Sequence, residues 1–156
     1  MQKSASALGI ATIFLAACAQ PYVQPEGPDT ASLTFVNLSH TDIEVLGFKV
    51  AENCSGGKLF FHKERQLFPG EQLAIAVAPN QLFSFSFMYH TASRYCFMPA
   101  TFTPKQGGRY IARFTARRDK CYSSFAAIIN DDEEKDPSFR PRKWRTPVWE
   151  SGSFCE

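Results

Sequence analysis

Several things that would reveal a chemistry are missing from this 156-residue chain. The 17 Lys and Arg nearly balance the 15 Asp and Glu, for a formal net charge of +2, which argues against nucleic acid as the principal partner. No two of Cys54, Cys96, Cys121 and Cys155 stand close enough to make a CxxC knuckle. His40, His62 and His90 are scattered and form neither HxH nor HExxH, so no metal is expected. His40 with Asp42, and His62 with Glu64, would share strand faces, but a hydrolytic site also needs a nucleophile or metal and an oxyanion stabiliser. There is no GxSxG elbow, and the glycine pairs lack the strand-to-helix setting that phosphate binding uses. The expectation is a protein that is not an enzyme, with no catalytic residue and no cofactor. No segment has a convincing helical period, and no apolar run is long enough to span a bilayer.

What is present begins at the front. Lys3 precedes a short run of small and apolar residues at 7–14, suited to the core of an export signal, and the run ends in Leu15-Ala16-Ala17-Cys18. This ending resembles the lipobox of bacterial lipoproteins, which implies cleavage after residue 17 and lipidation of Cys18, with several acyl chains giving lasting membrane attachment. In that family Ala19, standing where an Asp would retain the protein at the inner membrane, implies the outer membrane, with the periplasmic face favoured over the cell surface. Residues 18–31 hold Pro21, Pro25 and Pro28 among polar residues and read as an extended tether with a reach of roughly 40 Å.

A chain that leaves the cytoplasm with an even number of remaining cysteines reads as disulfide-bonded. Of the three connectivities, Cys54 to Cys96 and Cys121 to Cys155 is favoured here, because the second would pin a weakly apolar C-terminal segment.

From residue 32, short apolar runs with two-residue alternation follow one another, at 32–37, 42–50, 59–62, 72–78, 82–89, 95–102, 109–116 and 121–129. Turn residues separate them: Ser55-Gly56-Gly57, Pro69-Gly70, Pro79-Asn80 and Gln106-Gly107-Gly108. In 109–116, Tyr110, Ala112, Phe114 and Ala116 take one face, and Arg109, Arg113 and Thr115 the other, as in a strand buried on one side. Phe83, Phe85, Phe87 and Tyr89 likewise share a face and are read as core rather than as a glycan platform. An all-β domain over 32–130 follows, an antiparallel β-sandwich rather than a membrane barrel. The stretch Phe68-Pro69-Gly70-Glu71-Gln72-Leu73, with Phe102 through Gly107-Gly108-Arg109-Tyr110, resembles small bacterial lipoproteins with an immunoglobulin-like or transthyretin-like sandwich. That resemblance speaks to fold and carries no functional residue. Residues 131–156 read as a charged, irregular tail returned to the domain by Cys155.

Two basic groups are candidate binding residues. Trp144 stands among Arg142, Lys143 and Arg145, a plausible anchor for a protein partner or an anionic headgroup, unless this run faces the acidic residues at 131–136. Arg109 and Arg113, with Arg117, Arg118 and Lys120 nearby, form the second. Trp149, Tyr122 and Tyr22 are further exposed candidates, and Asn37-Leu38-Ser39 matches a glycosylation sequon that would be idle in a bacterium. The expected function is a non-catalytic, lipid-anchored periplasmic lipoprotein, a structural or interaction module of a cell-envelope or secretion assembly. Its partners would be the membrane and an envelope protein. The alternative is a ligand-binding or inhibitory lipoprotein, resembling lysozyme inhibitors in size, lipobox and disulfides.

Overall fold

A computed structural model describes residues 22–60, 66–92, 94–117, 120–146 and 152–156. Cys18, the export signal and Trp149 lie outside the described residues, as do His62, Glu64 and Arg118. The alternating runs form strands β1 (Ala31–Asn37), β2 (Glu44–Val50), β3 (Ser55–Leu59), β4 (Gln72–Val77), β5 (Phe83–Thr91), β6 (Arg94–Phe102), β7 (Arg109–Arg117) and β8 (Lys120–Ile129). Two short strands follow, β9 (Asp132–Glu134) and β10 (Arg140–Pro141), and the described residues contain no helix. One sheet has the order β4-β1-β7-β8-β9 and the other β10-β6-β5-β2-β3. All neighbours are antiparallel except β1 and β7, which run parallel with Ser32 opposite Arg109. Because β1 and β2 lie in different sheets, the order departs from the immunoglobulin arrangement, in which the first two strands share one.

The two sheets meet on their aromatic faces. Leu33, Phe35, Val45, Phe85, Phe87, Phe102, Ala112 and Phe114 are all at 2% exposure or less. Phe35 meets Phe85 and Phe87 edge-on, at centroid distances of 5.2 and 5.7 Å, the packing that ring quadrupoles favour. Each such side chain withdrawn from water stabilises the fold by about 1.5–3 kcal/mol. The Phe83–Tyr89 row is therefore core, as its alternation indicated.

Four local features differ from the sequence reading. Ser55-Gly56-Gly57 lies within β3 rather than in a turn. The chain reverses instead at 51–54, where Cys54 takes a φ of 53° and the Asn53 side-chain oxygen accepts the Ser55 N–H at 3.2 Å. The segment after Ile129 is not irregular: Asn130 and Asp131, with φ of 51° and 69°, make a two-residue turn that folds β9 back on β8. Residues 22–31 are not a loose tether throughout. The Tyr22 hydroxyl donates to the Ala76 carbonyl at 3.0 Å, the Gln24 side chain accepts the Ala76 N–H at 2.7 Å, and the Tyr22 ring packs edge-on against Phe60 and Phe83. That burial pushes the Tyr22 phenol up to about 12.

The fourth difference is the disulfide pairing. Cys54 bonds Cys155 and Cys96 bonds Cys121, with Cα separations of 5.4 and 6.5 Å, so the favoured pairing of Cys54 with Cys96 and Cys121 with Cys155 is overturned. Register gives the reason. Cys96 lies opposite Tyr89 and Cys121 opposite Ala116, both among residues that face the interior, so they meet across the two sheets. Cys54 follows the other end of β2, where Cys96 cannot reach it.

Asn37 closes the β1–β2 connection. Its amide donates to the Thr41 and Leu67 carbonyls at 2.8 and 2.7 Å, and its oxygen accepts from the Ser39 N–H and hydroxyl. The sequon asparagine is wholly buried and its side chain is committed to structure.

Candidate functional site

On the outer face of the second sheet, residues 140–146 and 152–156 form a strap. β10 pairs with the edge of β6, and the Arg142 N–H donates to the Pro99 carbonyl at 2.8 Å. Trp144 then lies flat on Phe97, with centroids 3.6 Å apart and planes within 2°, while Phe154 packs against both Trp144 and Phe48. The Phe154 and Cys155 N–H groups both donate to the Asn53 carbonyl, and the disulfide to Cys54 fastens the end. Ser84 and Ser86 alternate out of the core on this face yet are fully buried. Ser86 donates to the Phe87 carbonyl at 3.1 Å, whereas the Ser84 hydroxyl has no hydrogen-bond partner among the described residues.

The basic candidates enter two separate structures. Arg142 spans the strap, donating to the Glu156 carbonyl at 2.8 Å and to the Glu52 carbonyl at 2.7 Å, and Arg145 lies 3.7 Å from the Glu156 carboxylate. The run at 142–145 therefore does not face the acidic residues at 131–136. Two of those acids pair with β7: Arg109 meets Asp131 at 2.8 Å, and Arg113 holds Glu133 through both guanidinium nitrogens. The β8–β9 hairpin, missed in the sequence reading, swings the acids over that strand. Arg113's hydrogen bond, with its charge, keeps the Glu133 carboxyl below the usual carboxylate range. Trp144 is half-buried on its own domain, while Tyr122 on β8 remains half-exposed. The structure thus brings Trp144, Arg142 and Arg145 together in one strap and keeps Arg109 and Arg113 apart from them on the other sheet.

What the outer face leaves open lies at the other end of the same sheet. There the start of β2 and the β5–β6 hairpin, with Gln66 beside them, line a groove of about 330 Å³. Its walls are Asp42, Ile43, Glu44, Gln66, Met88, His90 and Tyr95. Register explains the gathering: Glu44 stands opposite Met88, and His90 opposite Tyr95, so alternation sends all four to the outer face. Paired Ile43 and Leu67 backbones, at 3.1 and 2.7 Å, bring Gln66 alongside. Tyr95 is 60% exposed and packs edge-on against His90 and Phe97, so one row of rings runs from the groove through Phe97 and Trp144 to Phe154. Partial burial, then the Glu44 charge, raises the Tyr95 phenol pKa, so it stays neutral and can donate. Phenol, imidazole, carboxylates, amide and thioether on an open concave surface suit recognition: apolar area with directional hydrogen bonds. Sequence reasoning passed over these residues because it sought tryptophans flanked by charge. The available signal was Tyr95 facing His90 across a short turn, on the face shared with Met88.

No protein-family model matches the chain, and no curated protein is similar to it in sequence.

Proposed function

We propose that this protein is a non-catalytic, lipid-anchored lipoprotein of the periplasmic face of the outer membrane, a structural or interaction module of a cell-envelope or secretion assembly. In this reading the sandwich is of the transthyretin-like kind, Cys18 carries the lipid, and the groove at Tyr95 receives a protein partner. The observation that carries it is the solvent-facing Tyr95 and His90 beside Glu44 and Asp42, at the end of the second sheet opposite the edge where Tyr22 brings the chain in. Exposed tyrosines in a concave, mixed-polarity patch are what interface centres use. Two disulfides suit an oxidising compartment.

The test is in-cell photo-crosslinking from position 95 in the full-length protein, with mass spectrometry of the captured membrane fraction. A stoichiometric envelope protein, lost when Cys18→Ser removes membrane attachment, supports the proposal. Capture of only abundant porins and lipid, or unchanged attachment of C18S, counts against it. The groove's volume is also within the range of small-ligand sites, which keeps a ligand-binding or inhibitory lipoprotein as the second reading. Lysozyme left fully active by a stoichiometric excess of the protein would remove its lysozyme-inhibitor form.

A further inference from the structure

The far end of the second sheet from Tyr95 carries a smaller groove of about 200 Å³. It is lined by Tyr22, Val23, Lys49, Gln81, Leu82 and Phe83, among others. Val23 is 78% exposed and Leu82 40%, both beside this groove, and Lys49 is the one charged residue lining it among the described residues. The two grooves lie near opposite ends of β2 and β5, since Gly47 to Lys49 and Phe83 line one and Glu44 and Met88 to His90 flank the other.

Tyr22 is docked, so its position relative to the domain is set by hydrogen bonds and ring contacts to β4, Phe60 and Phe83. Between Cys18 and Tyr22 there are four Cα-to-Cα steps of about 3.8 Å, a span of at most about 15 Å in any conformation. A domain of this size is roughly 35 Å across. If Cys18 holds lipid, the leash is shorter than the domain, and the end carrying Tyr22 must face the membrane while the Tyr95 groove points away.

We propose that the Val23 and Leu82 end of the sandwich rests on the bilayer surface, with Val23 and Leu82 against the interface and Lys49 at the level of the lipid phosphates. This rests on the reading of Cys18 as the lipidated residue. It replaces a module held some 40 Å out on a loose tether by one of fixed orientation. Two exposed apolar side chains next to one cation, with no carboxylate among the described residues of the groove lining, fit an anionic lipid surface.

The experiment uses the full mature protein purified with its lipid and reconstituted in phosphatidylethanolamine/phosphatidylglycerol vesicles, with a photo-crosslinking residue at position 23, 82 or 95 in turn. Phospholipid adducts and the mass of the N-terminal peptide are read by mass spectrometry. An acylated Cys18 with several-fold more phospholipid adduct at 23 and 82 than at 95 is the expected result. An acylated Cys18 with equal adduct at all three positions, or with adducts to a second copy of the chain in place of lipid, overturns the apposition and leaves the anchor standing. An unmodified Cys18 overturns both. Lys49→Glu is expected to lower the adduct at 82 in the same vesicles, and an unchanged yield would refute the role given to Lys49.

Discussion

The two outer faces of this sandwich start from the same alternating pattern and are finished in different ways. On the first sheet, Arg109, Arg113 and Tyr122 look outward, and Asp131 of the β8–β9 turn and Glu133 of β9 reach back to the two arginines as ion pairs. On the second, Ser84 and Ser86 look outward by the same rule but are fully buried, and a strap that carries Trp144 and Phe154 and ends in a disulfide lies on that face. The difference teaches that alternation assigns a residue to a face, while exposure depends on what later chain lies over that face. A solvated ion pair is worth little, whereas an aromatic strap with a covalent fastening adds a second small core around Phe48, Cys54 and Cys155.

The comparison breaks most visibly at the fastening. Removing the Cys54–Cys155 bond, which spans 101 residues, by C54A/C155A is expected to cost about 4.7 kcal/mol on the loop-entropy model, seen as a lower urea midpoint. A midpoint unchanged by the double substitution would mean that the strap holds without its bond. Next comes Trp144→Ala, which deletes the ring stacked on Phe97 and should cost about 2 kcal/mol, since the residue is only half-buried. Hydrogen exchange at Phe97 and Phe48 should rise in the same variant, whereas a purely local loss would leave Phe48 protected.

Ser84→Ala sharpens the contrast in the other direction. Its hydroxyl is buried without a partner among the described residues, so removing it should leave stability unchanged or raise it by up to about 1 kcal/mol. A clear loss would show that a partner, such as a trapped water, satisfies it. The smallest effect is expected on the open face: Arg113→Ala should leave the urea midpoint at pH 7 almost unmoved. The sign of its pH dependence is fixed by Glu133, whose carboxyl is held below its ordinary value in the folded state. That contribution is present above the ordinary carboxylate range and is lost as pH falls through the lowered value. The wild-type minus R113A difference should therefore shrink on acidification, and a difference that grows at low pH would contradict the pairing.

Much of the fold was legible because strand alternation is a local property. The faces of β7 and the ring row of β5 could be read residue by residue, and the structure places them as read. Legibility failed where a decision was not local. Gly56 and Gly57 look like turn residues, yet the reversal falls at Cys54, whose conformation goes with a bond to a residue 101 positions away. The β8–β9 hairpin was hidden because the acidic run that follows has no apolar alternation to mark a strand, although Asn130-Asp131 is a two-residue turn signal. Trp144 stood out as an exposed anchor because its neighbours are cations. Arg142 donates to the carbonyls of Glu52 and Glu156, Arg145 lies by the Glu156 carboxylate, and the ring lies on Phe97. The groove at Tyr95 was not legible, since its walls come from three separated stretches of chain.

By itself, the sequence determined that the domain is all-β, which side chains turn inward on its clearest strands, and that its cysteines pair among themselves. These follow from backbone geometry, from the burial of apolar area and from an even thiol count, none of which needs knowledge of distant neighbours. Only the tertiary structure decided which cysteines bond, which outer face is covered, where Asp131 and Glu133 find their arginines and which end of the sheet stays open. Each of those is a meeting between residues far apart in the chain, set by strand order across two sheets, and strand order leaves no mark on the spacing of residues along a single strand.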